Sequence, residues 1–402
     1  MATLIPFRAL RPIPDAAARV AAVPYDVVNA DEARALANGN PYSFLHVSRA
    51  EIDLPRDVNP YADEVYARAA ANFKALITGA PLVNESEPSL YAYRLRMGAH
   101  VQTGVAGCFS VDEYDRDIIR KHERTRRDKE DDRTRHITEL RAQTGPVFLT
   151  YPASAEVDAM IAQTTSAPPL FDFTAPDGIQ HTLWTIAKPQ RLVDAFGRIP
   201  ALYIADGHHR AASAARVRRQ LHSEAGPGAW DSFLAVAFPD TQVQVLPYNR
   251  VVRDLGSYTP GSLLATLRQT LTVQEGSATP SRSGLVSMFL GGRWYSIDLG
   301  AAPADLTADQ RLDVSRLQEL VLTPLLGIGD IRSDKRIDFV GGARGTQELE
   351  SLVTSGRFAV AFSMYPVSVD DLMQISDAGG IMPPKSTWFE PKLRDGLLSH
   401  VI

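Results

Sequence analysis

The sequence of 402 residues is poor in cysteine and contains a single one, Cys108. One thiol excludes an internal disulfide framework, and it cannot supply a cage of thiolate ligands around a metal ion. Cys108 lies within the apolar run 105–109, where a small buried residue is expected rather than a nucleophile. The chemistry of the chain therefore has to come from other residue types.

Long hydrophobic runs and an excess of positive charge are also lacking. No stretch reaches the roughly 18 uninterrupted apolar residues of a membrane-spanning helix, and the first ten residues show no signal-peptide pattern. The formal net charge is −5, so no basic field is available to attract nucleic acid. These absences predict a cytoplasmic protein with neither a membrane nor a nucleic-acid partner.

Several common catalytic motifs do not occur. There is no G-x-x-x-x-G-K-[ST] loop, no G-x-G-x-x-G after a strand and no G-x-S-x-G elbow. His122 and Glu123 begin a His-Glu pair, but the position that a zincin fills with its second histidine holds Arg126. P-loop enzymes, the usual dinucleotide-binding fold and zincins are thereby excluded.

Strands and helices alternate along the chain without a strictly repeated βα unit, which predicts an α+β fold with mixed sheets. Hydrophobic periodicity predicts helices over 62–76, 189–196, 261–271 and 312–322. It predicts strands over 90–95, 104–111, 145–151, 183–186, 233–238, 243–248, 285–290, 293–299 and 358–362. Turn residues near Pro81 and Pro260 suggest three parts: an N-terminal segment 1–80, a core 81–259 and a C-terminal subdomain 260–402.

The apolar run 202–204 is followed by Asp206 and Gly207, and then by the alanine-rich stretch 208–217. This order predicts a strand, a glycine turn and a helix whose N-terminus binds a phosphate or carboxylate. The candidate phosphate-binding residues are Gly207, His208, His209 and Arg210. The alternative is purely structural, with Asp206 as an N-cap and the histidines as polar surface.

A dense block of charged residues covers 112–141. If it formed one continuous helix, a single face would carry His122, Arg126, Lys129, Arg133 and His136. Such a face repels itself unless an anion such as polyphosphate neutralises it. The alternative is a solvated helix with ion pairs between successive turns.

The same block supplies candidates for chemistry. Glu123 is a candidate general base toward a hydroxyl, with His122 beside it. Asp132, or Asp206, is a candidate Mg²⁺ ligand. The cations expected to neutralise phosphate charge are Lys121, Arg124 and Arg133.

Two further segments combine proline with polar side chains. In the segment 381–393, Lys385, Ser386 and Lys392 are candidates for binding an acceptor carboxylate or closing over the site. The alternative is a C-terminal loop packed by its aromatic residues. Near the N-terminus, Pro24 fixes a bend that is expected to expose Tyr25 and Asp26, as a structural turn or as a substrate contact.

These segments resemble the bacterial and archaeal family known as domain of unknown function 1015, over nearly the whole chain. The resemblance rests on four stretches: 23–26, 121–125 with 132–133, 205–210, and 384–392. The Asp-Gly-His-His-Arg element within 205–210 is also similar to one in the ParB/sulfiredoxin-like superfamily. That superfamily includes CTP-binding partition proteins, sulfiredoxin and free serine kinases.

This second resemblance implies a ParB/sulfiredoxin-like core that holds nucleotide phosphates at Asp206 and the four residues after it. The free serine kinases also use a glutamate as base, a role for which Glu123 is the candidate here. Sulfiredoxin chemistry needs a cysteine beside the turn, where this chain has His208, so reductase activity is disfavoured. The resemblance of the stretch 205–210 to the free serine kinases thus implies a kinase that uses a nucleotide as phosphoryl donor.

The expected function is a small-molecule kinase that transfers a phosphoryl group from ATP or another nucleotide, with Mg²⁺, to the hydroxyl of a small amino or hydroxy acid such as free serine. A nucleotide-binding switch of the ParB type, hydrolysing slowly or not at all, is the alternative. Homodimer formation is left open.

Overall fold

The structure, a computed structural model, describes residues 2–79 and 81–402. It divides into two compact units. The first comprises the described residues up to Val243 together with Pro391–Ile402, and the second comprises Gln244–Glu390. The three-part division at 80 and 259 stays a prediction.

The strands are named in chain order. They are β1 Leu4–Ile5, β2 Ala9–Pro12, β3 Leu82–Asn84, β4 Leu90–Met97, β5 His100–Ser110, β6 Ile119–Arg120, β7 Ala142–Gln143, β8 Val147–Tyr151, β9 Phe171–Thr174, β10 Gln180–Ile186, β11 Leu202–Asp206, β12 Ser232–Pro239, β13 Gln244–Leu246, β14 Tyr248–Val252, β15 Thr272–Glu275, β16 Leu285–Leu290, β17 Arg293–Asp298, β18 Ile337–Gly341, β19 Val360–Ser363, β20 Trp388–Glu390 and β21 Ser399–Val401.

The helices are named in the same way. They are α1 Ala17–Val20, α2 Ala30–Ala37, α3 Leu45–Ser48, α4 Asp63–Thr78, α5 Val111–Asp115, α6 Arg127–Leu140, α7 Ala155–Thr164, α8 Pro189–Phe196, α9 His208–Ala225, α10 Pro260–Thr270, α11 Ala308–Arg311, α12 Asp313–Leu317, α13 Gly345–Thr354 and α14 Val369–Asp377. None of the helices in the described ranges is both long and apolar enough to cross a membrane.

A nine-stranded sheet organises the first unit, in the order β6-β11-β8-β12-β5-β4-β10-β9 with β1 beside β5. The pairs β6–β11 and β8–β12 are parallel, and the other pairs are antiparallel. All eight residues of β12 are buried, as expected for a continuous apolar run at the centre of a sheet. The predicted α+β class with mixed sheets is confirmed.

A second sheet of the first unit, β3-β2-β21-β7, brings the end of the chain back to the beginning. His400 of β21 pairs with Ala9 on one side and with Gln143 on the other. The segment from Pro391 onward is therefore part of the first unit, although 147 residues of the second unit, 244–390, precede it in the sequence.

The second unit is built on an antiparallel sheet in the order β15-β17-β16-β19-β14-β18, with β13 and β20 forming a separate pair. Its core includes Val251, Phe289, Leu349 and Ala361. Two predicted elements are divided here. The strand predicted over 243–248 is divided into β13 and β14 at Pro247, because proline has no N–H to donate to a β-ladder. The helix predicted over 312–322 ends as α12 at Leu317 and continues as the π-helical turn Gln318–Leu322.

The aromatic centre of the first unit offers a test of the packing. Phe109 is fully buried and contacts the rings of Phe196 and Phe233. We expect Phe109→Ala to lower the free energy of unfolding by about 3–5 kcal/mol, because a ring-sized cavity replaces these contacts. Urea denaturation measures the change. The control Leu36→Ala, at a side chain that is 51% exposed, should stay within about 0.5 kcal/mol of the parent protein.

Candidate active site

The predicted strand, turn and helix at 202–225 are present as β11, Gly207 and α9. Gly207 has φ +97°, a left-handed conformation that favours glycine. The first helical bond runs from the Ala211 amide to the Gly207 carbonyl, at 3.0 Å. Within the described residues, no side chain caps this helix, so Asp206 is not its N-cap. The first-turn amides thus point out of the helix without intrahelical acceptors, as at every α-helix N-terminus.

Asp206 connects the turn to two cations. Its Oδ2 accepts hydrogen bonds from Lys392 Nζ at 3.2 Å and from Arg210 Nη2 at 3.3 Å. Although burial acts in the opposite direction, Lys392 and Arg210 hold the pKa of Asp206 well below its usual range. The carboxylate is therefore ionised at neutral pH, and it fixes both cationic side chains next to the turn.

Arg210 is buried, and only part of its guanidinium is satisfied. Nη1 donates to the Pro146 carbonyl and Nη2 to Asp206. The remaining donor, Nε, is buried and has no hydrogen-bond partner within the described chain. A Cβ atom added to Gly207 would lie 2.9 Å from this Nε. An unsatisfied donor thus faces the one residue of the turn that has no side chain.

Two buried histidines lie beside the turn, because β6 and β11 are parallel neighbours. Leu202 pairs with Ile119, so the segments that follow the two strands lie side by side. The rings of His122 and His208 meet edge to face with centroids 4.4 Å apart. Burial lowers the pKa of His122 to about 4 and lowers that of His208 well below its usual value, so both rings are neutral at pH 7.

The charged block does not form one continuous helix. The residues after β6 form a loop, and α6 begins only at Arg127. The loop is held across the start of α9, because the His122 amide donates to His208 Nε2 at 3.4 Å and the Arg126 amide donates to His209 Nε2 at 3.0 Å. These tertiary bonds replace helical ones. His122 and Arg126 therefore do not share a helical face with the cations of α6.

Within α6, the buried Asp132 pairs with the partly buried Arg133. Asp132 Oδ1 accepts from the Tyr66 hydroxyl at 2.8 Å, and Oδ2 accepts from Arg133 Nε at 2.9 Å. Arg133 also lies over the Tyr25 ring, 4.1 Å from its centroid, and His136 bonds to the Val47 carbonyl. Both oxygens of Asp132 are engaged by neighbouring side chains, and its role as a Mg²⁺ ligand stays a prediction.

The other cations of the block differ in their surroundings. Lys121 Nζ donates to the Tyr114 carbonyl at 2.7 Å and pairs with Asp117. Arg124 is exposed on the loop before α6. Glu123, between His122 and Arg124, is half-buried. The ligand atoms of Glu123, His122 and His208 all lie within 4.8 Å of one another, so these three residues form a group that could hold a metal ion.

The residues expected to bind the acceptor fall in different places. The expectation that Tyr25 is exposed is wrong: it is buried, because the Arg133 guanidinium covers its ring, whereas Asp26 is exposed. Lys392 belongs to the first unit and bonds to Asp206. Lys385 and Ser386 belong to the second unit, and the substrate roles of these five residues stay predictions.

Asp395 was not among the site residues expected from the sequence, and it enters the first unit with the C-terminal segment. Its backbone pairs with that of Ala22, and its side chain is 3% exposed. It lines a small cavity of about 30 Å³ together with Tyr25, Arg133 and Arg210. The signal available in the sequence is a pair of charges, Arg394 and Asp395, between Leu393 and the run Gly396-Leu397-Leu398.

Asp395 makes the stability of the native state depend on pH. Burial raises the pKa of Asp395 to about 7, although Arg210 acts in the opposite direction. The pKa of an aspartate in the unfolded chain is about 3.9, so the unfolded chain releases this proton at lower pH than the native state does. The native state therefore loses stability between about pH 4 and pH 7. Relative to Asp395→Asn, we expect the parent protein to lose about 1.4 kcal/mol per pH unit in this interval.

Urea denaturation at several pH values between about 4 and 7 measures this difference. Asp15→Asn is the matched control, because Asp15 is an exposed aspartate. Parallel stability curves for Asp395→Asn and the parent protein would contradict the assignment.

Comparison with known proteins agrees with the family suggested by the sequence. By its fold the chain is an α+β protein with mixed sheets. It matches the family described as protein of unknown function (DUF1015) over residues 4–315, and it belongs to that family. Three of the four stretches that carry the resemblance fall within this range, and the stretch 384–392 lies beyond it. No curated protein matches the sequence.

Several solved structures are similar at low identity. C-terminally truncated SbnI from Staphylococcus aureus is 13% identical with a TM-score of 0.39, covering 72% of this chain and 85% of SbnI. A free serine kinase in complex with AMP is 11% identical with a TM-score of 0.35, covering 72% of this chain and 91% of the kinase. A conserved hypothetical protein from Pyrococcus furiosus is 13% identical with a TM-score of 0.34, with coverages of 73% and 94%. TM-scores below 0.5 do not establish a common fold.

Proposed function

We propose that this protein is a small-molecule kinase. It binds a nucleotide through its phosphates at the turn between β11 and α9, and it transfers the terminal phosphoryl group to the hydroxyl of a small amino or hydroxy acid, with free serine as the first candidate. The observation that carries the proposal is the buried Nε of Arg210, which has no partner within the described residues and faces Gly207.

A phosphate oxygen at the turn would satisfy this donor. Leaving a buried N–H without an acceptor costs about 1–3 kcal/mol, so an acceptor is expected in the functional state. The first-turn amides of α9 and the positive end of its dipole favour an anion in the same place. Because Gly207 has no side chain, the anion can approach the backbone closely.

The remaining roles are those expected from the sequence. The acceptor hydroxyl oxygen attacks the terminal phosphorus, the bond from that phosphorus to the bridging oxygen breaks, and Glu123 accepts the hydroxyl proton, with His122 beside it. His208, His209 and Arg210 hold the donor phosphates. Lys121, Arg124 and Arg133 neutralise charge. Tyr25, Asp26 and Lys392 of the first unit bind the acceptor.

Mg²⁺ is proposed to enter with the nucleotide. Asp206 is the better of the two candidate ligands, because it lies at the turn, whereas both oxygens of Asp132 already accept hydrogen bonds from Tyr66 and Arg133. When bound, the ion would neutralise phosphate charge.

Nucleotide binding is tested by thermal shift of the purified chain with ATP, ADP, CTP and GTP, each with and without Mg²⁺. A ligand at 100 times its Kd stabilises the native state by about 2.7 kcal/mol and raises the Tm. We expect one nucleotide to do so. We expect Gly207→Ala to abolish the shift, because its Cβ would meet the Arg210 guanidinium.

Gly226→Ala is the matched control for this variant. Gly226 follows the other end of α9 and also has positive φ, +76°, but a Cβ there meets nothing within 4 Å. The control carries backbone strain without obstructing the turn, so it should keep the nucleotide shift. A shift kept in Gly207→Ala would show that Gly207 is not the phosphate site, and loss of the shift in both variants would show that backbone strain, not the added Cβ, abolishes it.

Phosphoryl transfer is tested with the nucleotide so identified and with free serine, by detecting the phosphorylated acceptor. We expect Glu123→Gln to lower kcat by a factor of about 10²–10⁴, the usual contribution of a general base. Glu87→Gln, at an exposed glutamate, is the control. Full turnover in Glu123→Gln would contradict its assignment, and nucleotide binding without any phosphorylated acceptor would favour the nucleotide-binding switch.

A further inference from the structure

The group formed by His122, Glu123 and His208 has features that phosphate binding does not explain. The ligand atoms of the three side chains lie within 4.8 Å of one another. His122 is 2% exposed and His208 is 5% exposed. Two imidazoles and a carboxylate have thus been brought together at the ends of two parallel strands, largely out of contact with water.

His122 is the least satisfied member of this group. Its ring approaches the backbone of Ile204, but neither ring nitrogen makes a hydrogen bond of acceptable geometry within the described residues. Burying polar groups without partners is costly, and buried polar groups in native proteins are almost always satisfied. The nitrogens of His122 therefore need a partner that residues 2–79 and 81–402 do not provide.

We propose that His122, His208 and Glu123 bind a divalent first-row transition-metal ion, of which Zn²⁺ is the first candidate. Imidazole nitrogen and carboxylate oxygen are the ligand types that such ions use in proteins. Mg²⁺ prefers oxygen ligands and keeps several water molecules, so a half-buried site with two imidazoles disfavours it. The site is therefore separate from the Mg²⁺ proposed at Asp206.

The spacing is compatible with coordination. Bonds of about 2.0–2.1 Å in a tetrahedral arrangement place ligand atoms about 3.3 Å apart. Ligand atoms that are now within 4.8 Å of one another would need to approach by at most about 1.5 Å, which side-chain rotation can provide. The contact between the His122 amide and His208 Nε2, at 3.4 Å, is long, so a metal ion at that nitrogen would displace only a weak bond.

Three protein ligands leave a fourth position open, which is the arrangement of catalytic rather than structural zinc sites. Glu123 is half-buried, so an ion and an additional ligand can reach the group from its side. If one carboxylate oxygen of Glu123 holds the ion, the other stays available to accept the proton of the acceptor hydroxyl. The metal site does not depend on the proposed kinase activity, and its test requires no nucleotide.

The test is calorimetric titration of the chelator-treated full chain with Zn²⁺ alone. We expect one Zn²⁺ per chain, with Mg²⁺ unable to compete at equal concentration. Glu123→Gln and His208→Asn should each weaken binding by more than about tenfold, since loss of an outer-shell partner alone costs 10–100-fold. His222→Asn is the control, because His222 also pairs with a carboxylate, that of Asp231 at 3.0 Å, but lies on the surface.

Substitution with Co²⁺ gives a second readout that needs no variant. Bound at two imidazoles and a carboxylate, the ion should show the strong visible absorption of four-coordinate Co²⁺, and this absorption should be lost in Glu123→Gln. Thermal melting of each metal-free variant checks that it folds. The proposal is overturned if the parent chain binds no Zn²⁺, or if Glu123→Gln binds it as tightly as the parent.

Discussion

The carboxylate of Asp206 connects two successive elements of the first unit, β11 and α9, to the distant C-terminal segment. It ends β11, it pairs with Arg210 in the first turn of α9, and it pairs with Lys392, 186 residues later, in the returning C-terminal segment. A carboxylate that bonds two cations in a half-buried setting orients both of them. The position of the Arg210 guanidinium against Gly207, and with it the unsatisfied donor that supports an anion site, depends on this interaction.

Sheet topology explains why His122 and His208 lie beside the ion pairs of Asp206. Because β6 and β11 are parallel neighbours, the loop that begins with Lys121 and the turn at Gly207 leave the sheet at the same edge. Open sheets place their ligands at such edges, beyond the carboxyl ends of parallel strands. His122 and His208 are thus brought together by strand pairing, and their burial keeps them uncharged beside the cation Arg210, where two imidazolium ions would be repelled.

Much of this arrangement could be predicted from local sequence. The strand, glycine turn and helix at 202–225 follow from an apolar run, one glycine and an alanine-rich stretch, which are signals within a few residues of one another. The loop after β6 was not predictable in this way, because backbone bonds to His208 and His209 override the helical spacing of its charges. Asp395 was missed for a similar reason, since its burial depends on the distant pairing of its backbone with Ala22.

The account depends most on the claim that a nucleotide phosphate binds where Arg210 Nε faces Gly207. A crystal structure of the full chain soaked with the nucleotide that stabilises it tests this claim directly. The account predicts phosphate oxygens within hydrogen-bond distance, about 2.7–3.2 Å, of the first-turn amides of α9 and of Arg210 Nε. A nucleotide bound elsewhere, with Arg210 Nε still without a partner, would contradict it.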